Sequence, residues 1–303
     1  MGYDCVVCAK QVPDTKNITG QAMKDDGTVN RAALPAVFNP EDLHALETAL
    51  DIRDRFGGTV TVITMGLPKA CQVLRDALYR GADRAILITD RRAAGSDTLA
   101  TSYILSTAIR KLAPDIVLCG RQAIDGDTAQ TGPQIAEKLD FTLISYLEEL
   151  QALEDQTIRV KRNVGNGWEV VEARLPVLLT VMNTANTPRP SGAKRIMRFK
   201  KAKAPAEVAG EVAAQMPQAG KPEQAAETKN RCDALAAKGL LIDQWDLSTI
   251  EADLAWCGLA GSPTKVHRIQ AIVLAGGQYR QFQPTDESVG ELVGELIRDH
   301  TIG

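Results

Sequence analysis

Up to Leu139 the chain alternates two hydrophobic periods. Short, almost continuous apolar runs rich in Val, Ile and Leu occur at Tyr3–Ala9, Thr59–Thr64, Ala85–Thr89 and Asp115–Cys119, each ending near a Gly, Asp or Thr. Such runs read as strands buried on both faces. Between them, apolar residues recur at helical spacing over Pro40–Phe56, Pro68–Arg80, Thr98–Leu112 and Pro133–Leu139. Strand and helix in alternation predict an α/β fold, a doubly wound parallel sheet with helices on both faces. Ligands of such sheets bind beyond the carboxyl ends of the strands.

Beyond Leu139 the pattern changes. Thr157–Arg162 and Trp168–Ala173 flank Asn163-Val164-Gly165-Asn166-Gly167 and predict a hairpin, and Pro176–Met182 supplies a further strand. Arg189, Lys194, Arg195, Arg198, Lys200, Lys201 and Lys203 then follow with no acid among them, as either a solvated loop or a docking surface for an acidic partner. Residues 204–237 turn to Ala, Gln, Glu, Lys and Pro and read as a linker or a loosely packed helical insertion. Cys257–Val266 reads as an extended arm, and Ser288–Asp299 has helical spacing, so an arm and a terminal helix are expected to pack on another subunit. The division expected is residues 1–200 for the nucleotide-binding domain and 201–303 for linker, arm and helix.

Composition narrows the classes. The 303 residues are 44% hydrophobic and 24% charged, with 35 basic and 38 acidic side chains. A net charge of -3 gives no general attraction to nucleic acid or to an anionic membrane. The apolar runs Pro176–Met182 and Ala271–Ala275 are far shorter than the roughly 20 residues of a membrane span, and Met1-Gly2-Tyr3-Asp4 lacks the form of a signal peptide. A soluble cytoplasmic protein without membrane insertion is expected. Cys5 and Cys8 form Cys-x-x-Cys, compatible with metal or redox chemistry. In a strand, however, residues three apart face opposite sides, so the pair reads as structural and no metal site is expected.

Two segments carry binding chemistry. Asn39-Pro40-Glu41-Asp42 marks a helix start, with Asn39 as cap, Pro at the first position and acids in the first turn. Capping and dipole compensation alone would account for Asn39 and Asp42. The stretch Gly120–Pro133 links a strand to a helix, where an α/β sheet offers backbone N–H groups to an anion. Gly120, Gly126 and Gly132 allow close approach, and Thr128, Gln130 and Thr131 offer neutral hydrogen bonds, a set suited to an adenosine phosphate or pyrophosphate. It lacks the Gly-Lys-Ser/Thr ending of a P-loop, and no Gly-x-Gly-x-x-Gly follows the first strand. An acidic loop before a capped helix is the plainer alternative.

These segments, with Val7–Asp14, Asn39–Leu50, Gly81–Arg84, Leu175-Pro176, Pro188-Arg189, Ile196-Met197 and Gly258–Val266, occur in an order that resembles the β subunit of electron-transfer flavoproteins. The resemblance covers residues 1 to 200 closely and resumes in the arm and last helix. It implies an adenine-nucleotide α-hydrolase-like fold, an α-subunit partner that carries a flavin, and AMP as the structural ligand of ordinary members. In the electron-bifurcating branch the same pocket holds FAD. NADH is then the electron donor, ferredoxin or flavodoxin the low-potential acceptor, and a flavin dehydrogenase the other partner. NADH is oxidised only within the heterodimer or a larger complex, and no residue of this chain is catalytic.

Asp125-Gly126-Asp127-Thr128-Ala129-Gln130 and Ser96–Ser102 resemble the bifurcating branch, because AMP-binding members tend to carry Asp and Asn where Gly126 and Ala129 stand. Carried over by position, the cofactor contacts are Cys8, Asn39, Asp42, Met65, Gly120, Arg121, Gln122, Asp125, Gly126, Asp127, Thr128, Ala129, Gln130 and Thr131, with Thr98 and Thr101 added for FAD. Two departures stand out. Ala193 beside Gly192 replaces an exposed docking Leu, and residues 204–237 are longer than the family pattern. From another class, a stand-alone adenine-nucleotide sensor would share the core but has no use for the basic run and the arm.

Overall fold

The computed structural model describes residues 2–14, 35–264 and 281–298. Lys265 and Val266 of the expected arm, the run Ala271–Ala275 and Asp299 lie outside these residues. The chain opens with β1 (Cys5–Cys8) and a small antiparallel pair, β2 (Gln11–Pro13) and β3 (Ala36–Phe38). The alternation continues through α1 (Pro40–Phe56), β4 (Val60–Met65), α2 (Cys71–Arg80), β5 (Arg84–Ile88), α3 (Thr98–Leu112), β6 (Ile116–Gly120) and α4 (Thr131–Leu139). A β-rich stretch follows, with β7 (Thr142–Glu154), β8 (Thr157–Asn163), β9 (Trp168–Arg174) and β10 (Val177–Val181). Then come α5 (Ala193–Phe199), α6 (Pro205–Gln215), α7 (Lys221–Ala236), β11 (Asp243–Trp245) and α8 (Asp286–Arg298).

The main sheet has the order β11-β5-β4-β1-β6-β10-β7-β8-β9, parallel from β11 to β7 and antiparallel through β8 and β9. From β1 the chain winds outward through β4 and β5, then returns to place β6 on the other side of β1. The winding reverses between β1 and β6, the place where a parallel α/β sheet opens a crevice for ligands.

Alternate strand residues serve opposite faces. Val7, Val62, Leu87 and Leu118 pack with Leu46, Leu50 and Ile52 of α1 and Val73 and Leu74 of α2. Val6, Ile63, Ile86 and Val117 pack with Ile104, Leu105 and Ile109 of α3 and Ile135 of α4. Cys5 belongs to the first face and Cys8 to the second, so these thiols do not converge.

The structure departs from the sequence pattern, or decides between its readings, in four places. The longest strand, β7, is not evident from the sequence: Leu147, Leu150 and Leu153 have helical spacing, and two register shifts against β8 reset the alternation. Of the two readings of 204–237, the helical insertion holds and the linker does not. Its first helix buries Val208 and Val212 and is tied to α2 by an Arg75–Glu207 ion pair at 2.9 Å, whereas α7 buries no residue. The basic run is partly consumed within the chain: Arg189 forks onto Glu47 and also reaches Asp54, and Arg195 donates to the carbonyls of Leu78 and Ala82. Finally, residues 257–264 are not extended. They coil into turns against the loop before α3, where Ser262 Oγ accepts from the Asp97 N–H and donates to Gly258 O at 2.6 Å.

No helix among the described residues is long and apolar enough to cross a membrane. Leu50, fully buried between α1 and the sheet, is a direct test of this core. Leu50→Ala is expected to lower the stability of the full chain by roughly 2–5 kcal/mol, read as a shifted midpoint in chemical denaturation.

Candidate nucleotide site

The carboxyl ends of β4, β1 and β6 lie side by side and present Met65, Cys8 and Gly120. Three of the sequence-predicted positions are thus neighbours across the sheet, although they are more than 50 residues apart in sequence. Gly120 is required by space. A Cβ there would lie 2.5 Å from Asp42 Oδ1 and 2.6 Å from the backbone carbon of Glu41. The start of α1 therefore presses directly on the end of β6.

Asn39 holds the N-cap position of α1, but its side chain makes no capping bond. Its side chain turns away from the helix, donating from Nδ2 to Gln122 O at 2.9 Å and accepting at Oδ1 from the Ile124 N–H at 3.3 Å. Asp42 likewise serves tertiary structure. Oδ2 accepts from the Lys10 N–H at 2.8 Å and Oδ1 from the Gly120 N–H at 3.2 Å. Together they fasten the end of β1, the end of β6 and the following loop to one helix start. Burial pushes the Asp42 carboxyl up to about 7, against the opposing pull of hydrogen bonds from Asn39, Lys10 and Gly120.

The loop 121–130 is held at both ends. Arg121 pairs with the buried Glu41 at 2.9 Å, and Lys10 pairs with Asp125 at 2.7 Å. Gln122 Nε2 donates to Asp127 Oδ1 at 3.1 Å. The N–H groups of Gly126 and Asp127 both close on Ala123 O. Asp127 and Ala129 adopt φ of 50° and 52°, and Gly126 and Thr128 do not have positive φ. Alternation of this kind curls the backbone, and of its N–H groups those of Gly126 and Asp127 are spent on Ala123 O, so that an anion could be met only further along, from Thr128 to the start of α4. The first turn of α4, whose leading N–H groups have no helical acceptors, follows at Thr131. The helix thus starts before Pro133, where the sequence pattern placed it.

Thr98 opens α3, capped by Asp97, which accepts from the Ala100 N–H at 3.0 Å. Thr98 Oγ1 donates to Gln130 Oε1 at 3.0 Å and receives Gln134 Nε2 at 3.5 Å, joining the starts of α3 and α4. Gln134 Oε1 remains buried without a partner. Thr101 lies one turn further along α3 and is half-buried, while Gly126, Asp127 and Thr128 are exposed at the crest of the loop. Beside the loop an open cleft of about 570 Å³ is lined by Arg121, Ala129, Tyr146, Arg162 and Met182. Lys10, Glu41 and Gln134 were not singled out from sequence. Lys10 directly follows Cys8-Ala9, and Gln134 lies one turn beyond Gln130, so motif and period carried that signal.

With this arrangement in view, comparison with known proteins is specific. Residues 26–210 match the family described as the electron transfer flavoprotein domain. The chain is 37% identical over 297 residues to "Electron transfer flavoprotein subunit beta" of Clostridium acetobutylicum, covering 98% of this chain and 99% of that one. The chain belongs to the electron transfer flavoprotein family. Within it the chain is also 38% identical to "Protein FixA" of Sinorhizobium fredii, over 96% of this chain and 91% of that protein. It is 37% identical to "Caffeyl-CoA reductase-Etf complex subunit CarD" of Acetobacterium woodii, over 98% and 99%. As an electron transfer flavoprotein β-type chain, it follows the resemblance read from its motifs.

The position of Asp42 makes a pH effect measurable. Its folded-state carboxyl titrates above the usual carboxylate range, so the folded chain holds this proton more tightly than the unfolded chain. Its contribution to stability is therefore full below about pH 4 and fades as pH rises through about 7. Asp42→Asn is expected to remove that component. Denaturation midpoints of wild type and variant, measured across this interval, should differ by an amount that changes with pH.

Proposed function

We propose that this chain is the β subunit of a heterodimeric electron-transfer flavoprotein, holds FAD between β1, β6 and the starts of α3 and α4, and works with an α subunit carrying a second flavin. The observation that supports FAD most directly is the space at Gly126. A Cβ there would meet nothing within 4 Å, and its φ is not positive, so neither packing nor backbone conformation within the chain demands glycine. Absence of a side chain leaves room over the loop for a larger ligand. The Thr98–Gln130–Gln134 contact adds a second set of neutral groups beside the loop, with the buried Gln134 Oε1 still lacking a donor.

In this reading the chain's residues bind and orient. The backbone at Thr128 and Ala129 and the first turn of α4 receive the pyrophosphate, Thr98 and Thr101 supply hydroxyls, and Cys8, Asn39, Asp42 and Met65 border the adenosine side. Arg121, Gln122, Asp125 and Asp127 set the loop's shape through the pairs described above. Bound FAD would supply the redox chemistry, accepting reducing equivalents from NADH and passing electrons singly to ferredoxin or flavodoxin and, through the α-subunit flavin, to a dehydrogenase. The relative named as part of a caffeyl-CoA reductase complex supports a larger assembly of this kind. Helix α8 buries none of its residues and leaves Val289, Val293 and Ile297 exposed, consistent with docking on the α subunit.

Counting nucleotides in the co-purified heterodimer tests the proposal. Two FAD and no AMP are expected; one FAD with one AMP would overturn the FAD assignment and leave an AMP-holding subunit. Thr98→Ala removes one hydroxyl, and a hydrogen bond to a charged group contributes about 1.5–3 kcal/mol. The variant is therefore expected to weaken FAD retention roughly 10- to 100-fold by equilibrium dialysis.

A further inference from the structure

The start of α3 is held from behind by a distant segment. Thr98, which faces Gln130 across the site, directly follows Asp97, and every polar group of Asp97 is engaged. Its Oδ1 accepts from the Ala100 N–H at 3.0 Å and its carbonyl from the Thr101 N–H at 2.9 Å, both within the helix. The other two bonds come from 165 and 167 positions further along the chain: the Asp97 N–H donates to Ser262 Oγ at 2.9 Å, and Oδ2 accepts from the Thr264 N–H at 3.0 Å. Burial opposes the charge, yet the N–H groups of Ala100, Thr264 and Leu99 hold the Asp97 carboxyl below the ordinary carboxylate value. Because Asp97 takes these leading N–H groups, α3 offers a ligand the Thr98 hydroxyl rather than its own N-terminus.

The distant segment is itself closed tightly. Ser262 is buried, at 3% exposure, and its Oγ donates to Gly258 O at 2.6 Å while accepting from Asp97. The Gly258 N–H donates in turn to Ser96 Oγ at 3.1 Å. Two glycines allow this approach. Gly258 has a φ of 58°, and a Cβ there would run into Arg92 O; a Cβ at Gly261 would run into the carbonyl carbon of Trp256. A buried hydroxyl that both donates and accepts in such a packed turn has little freedom to move.

We propose that Ser262 is a positioning residue of the nucleotide site: by holding the Asp97 N–H it fixes the start of α3, and with it the Thr98 hydroxyl against Gln130, in the geometry that receives FAD. The inference rests on the reading of this site as an FAD site with Thr98 among its contacts. Ser262 touches neither Thr98 nor Gln130 and acts only through Asp97. A binding geometry persists while supporting hydrogen bonds lock it to within about 0.5 Å. Without Ser262 Oγ the Asp97 N–H loses its acceptor, and the backbone leading into Thr98 is free to turn. The root of the C-terminal arm is thereby part of the site's support, although none of its residues lies in the site.

The test uses the heterodimer co-purified with its α partner. Nucleotides are first counted in the wild type: one FAD with one AMP overturns the FAD reading and this inference with it. With two FAD bound, the variants decide, and FAD retention is measured by equilibrium dialysis for Ser262→Ala, Thr98→Ala and the double variant. Ser262→Ala is expected to weaken FAD retention roughly 3- to 10-fold, the worth of one hydrogen bond, and to add nothing on the Thr98→Ala background. Ser262→Cys, close to serine in shape but a weak acceptor, is expected to behave the same way, alone and with Thr98→Ala, and gives the answer where the alanine variant does not assemble. Unchanged FAD retention in the Ser262 variants, or an equal further loss on the Thr98→Ala background, would overturn the positioning role and leave the FAD reading standing.

Discussion

The structure depends most on the two side chains at the start of α1. Asn39 and Asp42 look like capping residues, but they spend their hydrogen bonds on other segments: Gln122 and Ile124 for Asn39, Lys10 and Gly120 for Asp42. Backbone groups at the ends of parallel strands lose their ladder partners, and burying them unpaired would cost free energy. A single carboxylate satisfies one such group from β1 and one from β6, at the point where the winding of the sheet reverses. The crevice expected there is thereby given a fixed floor.

That arrangement explains which features were readable in the sequence. Strands buried on both faces appear as apolar runs whatever their partners, so β1, β4, β5, β6 and β10 were legible to within about two residues. Helices α1 and α3 were legible because proline, caps and one apolar face agree. The strand β7 failed that test because its bulges break the period of two, with Tyr146 at a φ of 62°. In 204–237 low apolar content left a helical insertion and a linker equally open, because α6 needs only Val208 and Val212 to dock.

The site was legible in its motif and not in its contacts. The place of Gly120–Pro133 after a strand marked it as the candidate anion-binding turn. The capping reading of Asn39 located the helix start and missed the side-chain bonds, since a local rule cannot show that its partners lie more than 80 residues away. That Cys8 lies beside Cys119 across β1 and β6 was equally hidden, because no local pattern shows which strands are neighbours. Register, which places residues side by side, is set by the whole sheet and not by any one strand.

The charges around the crevice argue for recognition by backbone and neutral groups. Lys10 is paired with Asp125 and Arg121 with Glu41, and Asp42 is enclosed by N–H donors. The cations nearest the loop are thus already matched by acids of this chain. An anionic ligand entering here meets little uncompensated positive charge from these side chains. In the proposed reading its phosphates would be held by the backbone at Thr128 and Ala129, the first N–H groups of α4 and the hydroxyl at Thr98. On the proposed reading such a site would distinguish ligands by the space over Gly126 and the reach to Thr98 more than by charge. On that reading small changes in the loop's residues, rather than in the fold, would be enough to exchange a shorter nucleotide for a longer one.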